Sequence, residues 1–304
     1  MKCHSSLLSL LLAAGLALTS QFAQAALNVL ACEPEWAALA QELAGDQVRV
    51  TSATTARQDP HHIEARPSLI ARARNADLLI CTGAELEIGW LPLLQREAGN
   101  PRIQPGLPGY LETSRYVRML EKPASVDRSQ GDLHAAGNPH INTDPRNFLR
   151  VADALTKRLA ELDPAQAAYF EARNKDFQAR MAAAIARWEK EAAGLRGVPV
   201  VVHHKGWTYL ADWLGLKIVA DLEPKPGIDP SAAYLAQLLD RLKTQPARLI
   251  LRTGYQSAKP SEWLAERAGI PALELPYTVG GAPNAKDLFG LFDTTVAQLK
   301  AGLK

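Results

Sequence analysis

The sequence predicts an α/β protein of two Rossmann-like lobes, each with a parallel sheet, joined by one long rigid helix. Short β-prone runs alternate with helical patterns in both halves of the chain, and this βαβ rhythm is typical of parallel sheets covered by helices. Between the halves, residues 164–193 contain no glycine, and their only proline is Pro164, at a position where a helix tolerates it. One face of this segment carries an apolar stripe: Phe170, Phe177, Met181, Ile185, Trp188 and Ala192.

The predicted lobes comprise residues 26–163 and 194–304, with the linking helix, 164–193, between them. In the first lobe we expect strands at 27–31, 48–51 and 78–81 and helices at 35–44 and 68–75. A further strand is predicted at 116–119, before a polar loop at 121–139 and a helix that opens at Asp144. In the second lobe we expect strands at 198–202, 217–220, 248–251 and 272–275 and helices at 207–214, 231–243, 261–268 and 285–303.

Residues 1–25 have the pattern of a secretory signal peptide. Lys2 precedes an apolar run at 7–18, and Ala23-Gln24-Ala25 is a small-x-small cleavage site. The apolar run is too short to span a membrane, and no cysteine stands at the cleavage point to be lipidated. We therefore expect cleavage near Ala25 and a soluble protein of the bacterial periplasm.

The charge balance gives no reason to expect nucleic acid or an anionic membrane as a partner. The full sequence carries 34 basic and 32 acidic side chains, and the basic residues form no run. A net charge near zero provides no strong attraction to a polyanion.

Two cysteines, Cys32 and Cys81, remain after signal removal. They end the first and third predicted strands, which are neighbours in a doubly wound sheet of order 2-1-3. Their Cα atoms can then lie within the roughly 4.4 to 6.8 Å that a disulfide requires. We expect a disulfide, which an oxidising compartment favours, and the alternative is two buried thiols.

The six histidines that remain after signal removal fall into three groups. Each group lies in a loop that follows a predicted strand, at the end of a parallel sheet where ligands bind. Neutral imidazole is the commonest protein ligand for late transition metals. The pattern therefore predicts a metal site formed by converging loops, with candidates His61, His62, His134, His140, His203 and His204.

Four segments carry short motifs. Asp59-Pro60-His61 is followed by Glu64 and Pro67-Ser68, residues 83–90 read GAELEIGW, Pro139-His140 is followed by Asp144-Pro145-Arg146-Asn147, and His204 is followed by Trp207, Tyr209-Leu210 and Gly215. In order and spacing, with the long helix before the last, these segments resemble the metal-binding solute receptors of bacterial ABC importers, the zinc and manganese receptor family. The resemblance runs through almost the whole mature chain.

The resemblance implies that His61, His140 and His204 bind a metal ion in the cleft between two lobes bridged by one long helix. It also implies that the protein is not an enzyme but a monomeric receptor, which delivers its metal to an ABC permease in the inner membrane. Three imidazoles suit Zn²⁺, whereas Mn²⁺ prefers more carboxylate oxygen. Manganese receptors of this family tend to have a carboxylate where this chain has His204. Copper and nickel remain competitors by affinity.

A zinc hydrolase or hydratase is the alternative, since three histidines and a water also form catalytic zinc sites. The chain has no HExxH helix and no Gly-x-Ser-x-Gly elbow, and Glu64 is the one evident base beside the histidines. A receptor for an iron chelate or cobalamin would share the long helix but would not need three histidine loops. The sequence therefore favours a metal receptor.

The fourth ligand is where the chain departs from the resembled family, which often places an aspartate before a proline after the last strand. Leu275 occupies that position here and cannot bind zinc. The alternatives are water or a carboxylate from Asp287, Glu274 or Glu64, and we expect Asp287 or water in nearly equal measure.

We expect the other three histidines to lie outside the set of metal ligands. The resemblance matches His61 and His204 rather than their neighbours, so we expect His62 and His203 to support the ligands or the fold. His134 lies in the polar loop, where zinc receptors of the family often carry a histidine-rich segment. We expect it to be exposed, and at most to assist metal capture without joining the high-affinity site.

Overall fold

The computed structural model describes residues 26–123, 131–132 and 134–304. The predicted signal peptide, residues 1–25, and part of the polar loop lie outside the described residues.

The N-terminal lobe contains a four-stranded parallel sheet of order β2-β1-β3-β4. Its strands are β1 (Leu27–Ala31), β2 (Val48–Ser52), β3 (Leu78–Cys81) and β4 (Tyr110–Glu112). Helices α1 (Pro34–Ala44), α2 (Pro67–Asn75) and α3 (Leu91–Ala98) connect them. Each of these helices has proline in its first turn, where the missing N–H is not needed.

The C-terminal lobe repeats the plan, with a parallel sheet of order β6-β5-β7-β8. Its strands are β5 (Pro199–Val202), β6 (Lys217–Asp221), β7 (Leu249–Arg252) and β8 (Ala272–Glu274). The helices of this lobe are α6 (Thr208–Leu214), α7 (Ala232–Thr244), α8 (Ala258–Ala268) and α9 (Leu288–Gly302). The prediction of two α/β lobes with parallel sheets is confirmed.

Two helices run between the sheets in sequence, α4 (Pro145–Leu162) and the long α5 (Ala167–Glu191). We predicted a single helix over 164–193, but 3₁₀ turns at Pro164–Gln166 and Ala193–Leu195 flank the 25-residue α-helix. Short 3₁₀ turns are frequent at helix ends, where the backbone hydrogen bonds tighten. The predicted apolar stripe is buried along the helix, from Phe170 to Ala192.

The two lobes share one hydrophobic core. A single cluster of buried residues contains side chains from β1 and β3 of the first sheet, β5 and β7 of the second, and α4, α5 and α9 between them. Trp188 on α5 packs against Trp213 and Phe292, with ring centroids 6.2 and 5.4 Å apart. Because close-packed interiors resist deformation, this shared core opposes a wide hinge motion between the lobes.

Cys32 and Cys81 form a disulfide, with Cα atoms 4.8 Å apart. Cys81 ends β3 and Cys32 directly follows β1, and these strands are neighbours in the observed order. The predicted disulfide and its strand order are therefore confirmed.

The predicted strand at 116–119 is wrong. The fourth strand is the three-residue β4, and a 3₁₀ turn, Thr113–Tyr116, follows it. Such a short edge strand is set by pairing with β3 rather than by its own apolar pattern.

Among the described residues, no helix combines the length and the apolar character needed to cross a bilayer.

Candidate metal centre

Three histidines from loops after the strands meet between the lobes. His61 follows β2, His140 follows β4, and His204 lies two residues beyond β5. One ring nitrogen from each lies within 4.8 Å of the others, and no other set of described residues with free side chains does this. Nε2 of His140 and Nε2 of His204 are 3.0 Å apart. All three side chains are buried.

The other ring nitrogen of each histidine has a partner that sets its orientation. Nδ1 of His61 lies 2.7 Å from an oxygen of Asp59, and Nδ1 of His204 lies 2.7 Å from an oxygen of Glu223. Nδ1 of His140 pairs with the hydroxyl of Tyr277. A proton held on Nδ1 by such a partner leaves the lone pair of Nε2 free and fixes the ring toward the centre. This is the arrangement that metal-binding histidines adopt.

The motif residues of the sequence hold these three loops in place. Trp90 donates its indole N–H to the Pro60 carbonyl over 2.8 Å, beside His61. Asp144 accepts from the backbone N–H of Arg146 and caps α4, just after the His140 loop. Tyr209 on α6 donates to the Asn138 carbonyl over 2.8 Å. The motifs thus fix the backbone on which the histidines stand.

Burial keeps the imidazole of His140 neutral. Burial, followed by the neighbouring His204, His61 and His134, places the pKa of His140 well below its ordinary value. Burial, opposed and outweighed by the hydrogen bond to His61, leaves the pKa of Asp59 below its ordinary value. A neutral imidazole beside an ionised carboxylate is ready to bind a cation at neutral pH.

An unpartnered nitrogen marks the centre of the site. Nε2 of His61 is buried and has no hydrogen-bond partner among the described residues. Buried polar groups without a partner are rare in folded proteins and are explained by an ion or a water that the atom would bind. Three inward Nε2 atoms form the borderline-soft nitrogen set that suits Zn²⁺. The residues therefore fit a metal ion.

The carboxylates considered as a fourth ligand do not reach the three imidazoles. Asp287 is exposed, and its carboxylate accepts from the Gly290 N–H over 2.7 Å as the N-cap of α9, so the structure does not support it as a ligand. Glu274 pairs with Arg57 and Arg252 at 2.8 and 2.7 Å. Glu64 is exposed.

His62 and His203, the sequence neighbours of His61 and His204, lie outside the group of converging nitrogens. His62 is exposed, with its ring centroid 6.1 Å from that of His61. His203 is buried, and its Nδ1 has no hydrogen-bond partner among the described residues. Neither belongs to the group of converging nitrogens.

His134 lies against the site, which contradicts the expectation that it is exposed. Its ring centroid is 5.5 Å from that of His61, and its Nε2 is buried without a partner among the described residues. Burial, together with the nearby His61 and His204, lowers its pKa to about 3. A cavity beside His140 and His204 is also lined by His134.

Sequence reasoning missed the groups that orient the imidazoles. Asp59 stood in the Asp-Pro-His motif, and an aspartate two residues before a histidine is placed to form an Asx turn onto it. Glu223 and Tyr277 offered no signal, because they reach the site from the loops after β6 and β8.

Comparison with known proteins also points to a metal-binding protein. The family model described as the periplasmic component A of the zinc-uptake complex, ZnuA, matches residues 29–302. The high-affinity zinc uptake system protein ZnuA of Bacillus subtilis is 24% identical over 215 residues, which cover 69% of this chain and 66% of that protein. The zinc-binding lipoprotein AdcA of Streptococcus pneumoniae is 23% identical over 234 residues, 76% of this chain and 46% of that protein. The chain thus spans two thirds or less of the length of these two relatives.

Other relatives carry different metals in their names. The iron ABC transporter substrate-binding lipoprotein MtsA of Streptococcus pyogenes is 22% identical over 270 residues, 86% of this chain and 82% of that protein.

A crystal structure of ZnuA shares the fold, with a TM-score of 0.76 over 92% of this chain and 100% of that one at 23% identity. Because the family model covers nearly the whole chain, the protein belongs to the ZnuA family of solute-binding receptors, which are not enzymes.

Proposed function

We propose that this protein is a periplasmic receptor that binds Zn²⁺ between its lobes and delivers it to an ABC-type importer in the inner membrane. The observation that carries the proposal is the convergence of His61, His140 and His204 with their Nε2 atoms turned inward. The names of ZnuA and AdcA relatives, which refer to zinc, agree with it.

The donor set supports zinc over manganese or iron. Relatives named for iron show that the family alone does not decide the metal. In this chain the nearby carboxylates of Asp59 and Glu223 hold the Nδ1 atoms of His61 and His204, so they act on the metal through the imidazoles. A site rich in nitrogen favours Zn²⁺ over Mn²⁺, which prefers oxygen.

Contacts across the cleft support capture with a small rearrangement. Arg57 of the first lobe pairs with Glu274 of the second over 2.8 Å, and the Thr278 hydroxyl donates to Glu35. The lobes also share one core around α4 and α5. We propose that metal release needs only local movement of the histidine loops. We further propose that the two lobes comprise residues 26–163 and 194–304, with residues 164–193 as the linking segment.

The remaining partners follow from this function. A monomeric receptor would present the rim of its cleft to the permease, and the metal would pass across that contact as cargo. Export through the signal peptide, with cleavage near Ala25, would place the receptor on the permease's outer side.

A competition experiment tests the proposed metal. The mature protein is titrated with Zn²⁺ against a chelator of known affinity, and then with Mn²⁺ and Fe²⁺ under anaerobic conditions. We expect one Zn²⁺ per chain, bound orders of magnitude more tightly than Mn²⁺ or Fe²⁺. Equal or tighter binding of Mn²⁺ or Fe²⁺ would contradict the zinc assignment. Loss of zinc uptake in cells that lack the gene would test delivery.

A further inference from the structure

The described part of the polar loop is fastened to both lobes. The N–H of Asp132 donates to the Pro226 carbonyl of the C-terminal lobe over 3.0 Å. Three residues further on, the N–H of Ala135 donates to the Glu85 carboxylate of the N-terminal lobe over 2.9 Å. His134 lies between these two anchors. The described residues on either side of His134 are therefore bound to different lobes.

The turn after His134 is also fixed. The N–H of Gly137 donates to the His134 carbonyl over 3.1 Å, and Gly137 has a φ of 110°, in the region that favours glycine. The next residue, Asn138, donates from its side chain to the Lys205 carbonyl over 2.8 Å, and its carbonyl accepts from Tyr209. These contacts hold the position of the His134 backbone relative to both His140 and His204.

The ring of His134 presents an unused donor to the site. Its Nε2 is buried without a hydrogen-bond partner among the described residues, as is Nε2 of His61. The two ring centroids are 5.5 Å apart, the same distance as between His61 and His204 and close to the 5.0 Å between His140 and His204. His134 is not one of the three histidines whose ring nitrogens lie within 4.8 Å of one another, so its ring would have to move closer to His140 and His204 to share an ion with them.

Within the described part of the chain, none of the carboxylates considered for the fourth position is placed to bind the ion. Of the carboxylates expected there, Asp287 caps a helix, Glu274 pairs with two arginines and Glu64 is exposed. The buried Leu275 stands where relatives in the resembled family often place an aspartate. Tetrahedral Zn²⁺ takes four ligands, and Nε2 of His134 is an unpartnered nitrogen beside His61.

We propose that Nε2 of His134 is the fourth zinc ligand, so that the cation is enclosed by four imidazoles. This inference rests on the proposed function, because it takes the bound ion to be Zn²⁺. A four-imidazole site carries no ligand charge and disfavours Mn²⁺ more than a site with a carboxylate would. It also makes His134 part of the site, because metal binding would draw its Nε2 toward the three converging nitrogens.

X-ray absorption spectroscopy of the zinc-loaded wild-type protein tests the inference directly, because it counts imidazoles and oxygens around the ion. We expect four nitrogen ligands at about 2.0 to 2.1 Å, all from imidazole. In His134→Ala we expect three imidazoles and one oxygen, and a loss of zinc affinity of at least about tenfold, which the removal of even an outer partner costs. His62→Ala is the matched control, since His62 is a histidine near the site that is exposed, and it should keep both values.

The outcomes separate the two proposals. Three imidazoles and one oxygen in the wild-type protein, with affinity unchanged in His134→Ala, would overturn the role of His134 and leave the zinc receptor intact. Failure of the wild-type protein to bind Zn²⁺ with a 1:1 stoichiometry would overturn the proposed function itself. An affinity loss in His134→Ala without a change in the imidazole count would also overturn the ligand assignment, because it would show that His134 only positions the loop.

Discussion

The histidines of the cleft are held in two different ways. His61, His140 and His204 each have a group bound to Nδ1 that fixes the ring before any metal arrives. His134 has no such partner in the described residues and depends on the backbone contacts of its loop. The first three form a preorganised base, which the proposed fourth ligand would complete. Ligands that are fixed in advance lose little conformational freedom on binding, so they should contribute most of the affinity.

The largest effect should come from the preorganised set. His140→Ala removes the most deeply buried of the three donors, so we expect zinc affinity to fall by more than about 100-fold, beyond what an outer partner costs. His61→Ala and His204→Ala should behave alike. Chelator competition measures each loss. His62→Ala and His203→Ala should lose far less, and a loss for His62→Ala equal to that for His61→Ala would show that the wrong member of the pair had been chosen.

Variants of the carboxylates that contact the imidazoles test whether the prior fixing of these rings contributes to zinc affinity. Glu223→Gln keeps the shape of the side chain but removes the charge opposite Nδ1 of His204, so zinc affinity should fall by roughly 10- to 100-fold. Asp59→Asn should act in the same way on His61. Unchanged affinity in both variants, measured by the same competition, would show that the carboxylates do not tune the ligands and would remove the distinction between the two kinds of histidine.

The stability of the metal-free protein should depend on pH through the imidazoles of His134 and His140. Burial lowers the pKa of His134 to about 3, from an ordinary 6.5, and lowers that of His140 as well. The folded state then binds fewer protons than the unfolded chain, so stability is fully present above pH 6.5 and is lost as the pH falls toward the folded values. Thermal unfolding from pH 7 to pH 5 should show this loss, and His134→Ala should reduce its slope.

The buried carboxyl groups of Glu35 and Glu87 change the stability of the protein with pH in the opposite direction, so they serve as a control. Burial raises the pKa of Glu35 and of Glu87 to about 7 from 4.5, so their contribution is present below pH 4.5 and lost as the pH rises through 7. Glu87→Gln should remove part of that contribution without changing the imidazole slope. A wild-type slope that His134→Ala leaves unaltered would contradict the burial of the loop histidine.

The smallest effect on affinity should follow from breaking the disulfide. Cys32 and Cys81 close a loop of 49 residues, so the double change to serine should destabilise the protein by about 2 to 4 kcal/mol. Neither cysteine belongs to the converging histidine group, and zinc affinity should stay close to the wild-type value. Denaturant unfolding and chelator competition on the same variant measure both quantities. A large affinity loss would mean that the strand ends, and not only the loops, hold the site.

The sequence predicted the parts of the molecule that depend on local pattern. Apolar patterns predicted β3, which is buried throughout, and β1, whose last three residues are buried. The order of the strands then placed the cysteines together. The loop histidines His61, His140 and His204 were assigned through their motifs, and the structure brings them to one point.

Other features depend on contacts between distant segments and had no local signal. β4 exists through its pairing with β3, and Glu223 reaches His204 from the loop after β6. The residues beside His134, Asp132 and Ala135, are held by Pro226 and Glu85 from different lobes. Asp287 was open to a better interpretation, because an aspartate just before an apolar helix is a strong N-cap signal.

Metal analysis of the protein purified from the periplasm tests whether the bound ion is zinc. We expect one zinc atom per chain after extensive dialysis, with manganese, iron, copper and nickel far below that ratio. The same analysis of His140→Ala, exported and folded to the same extent, should find the zinc lost. A wild-type protein that carries no stoichiometric zinc, or that carries another of these metals instead, would contradict the assignment of a zinc receptor.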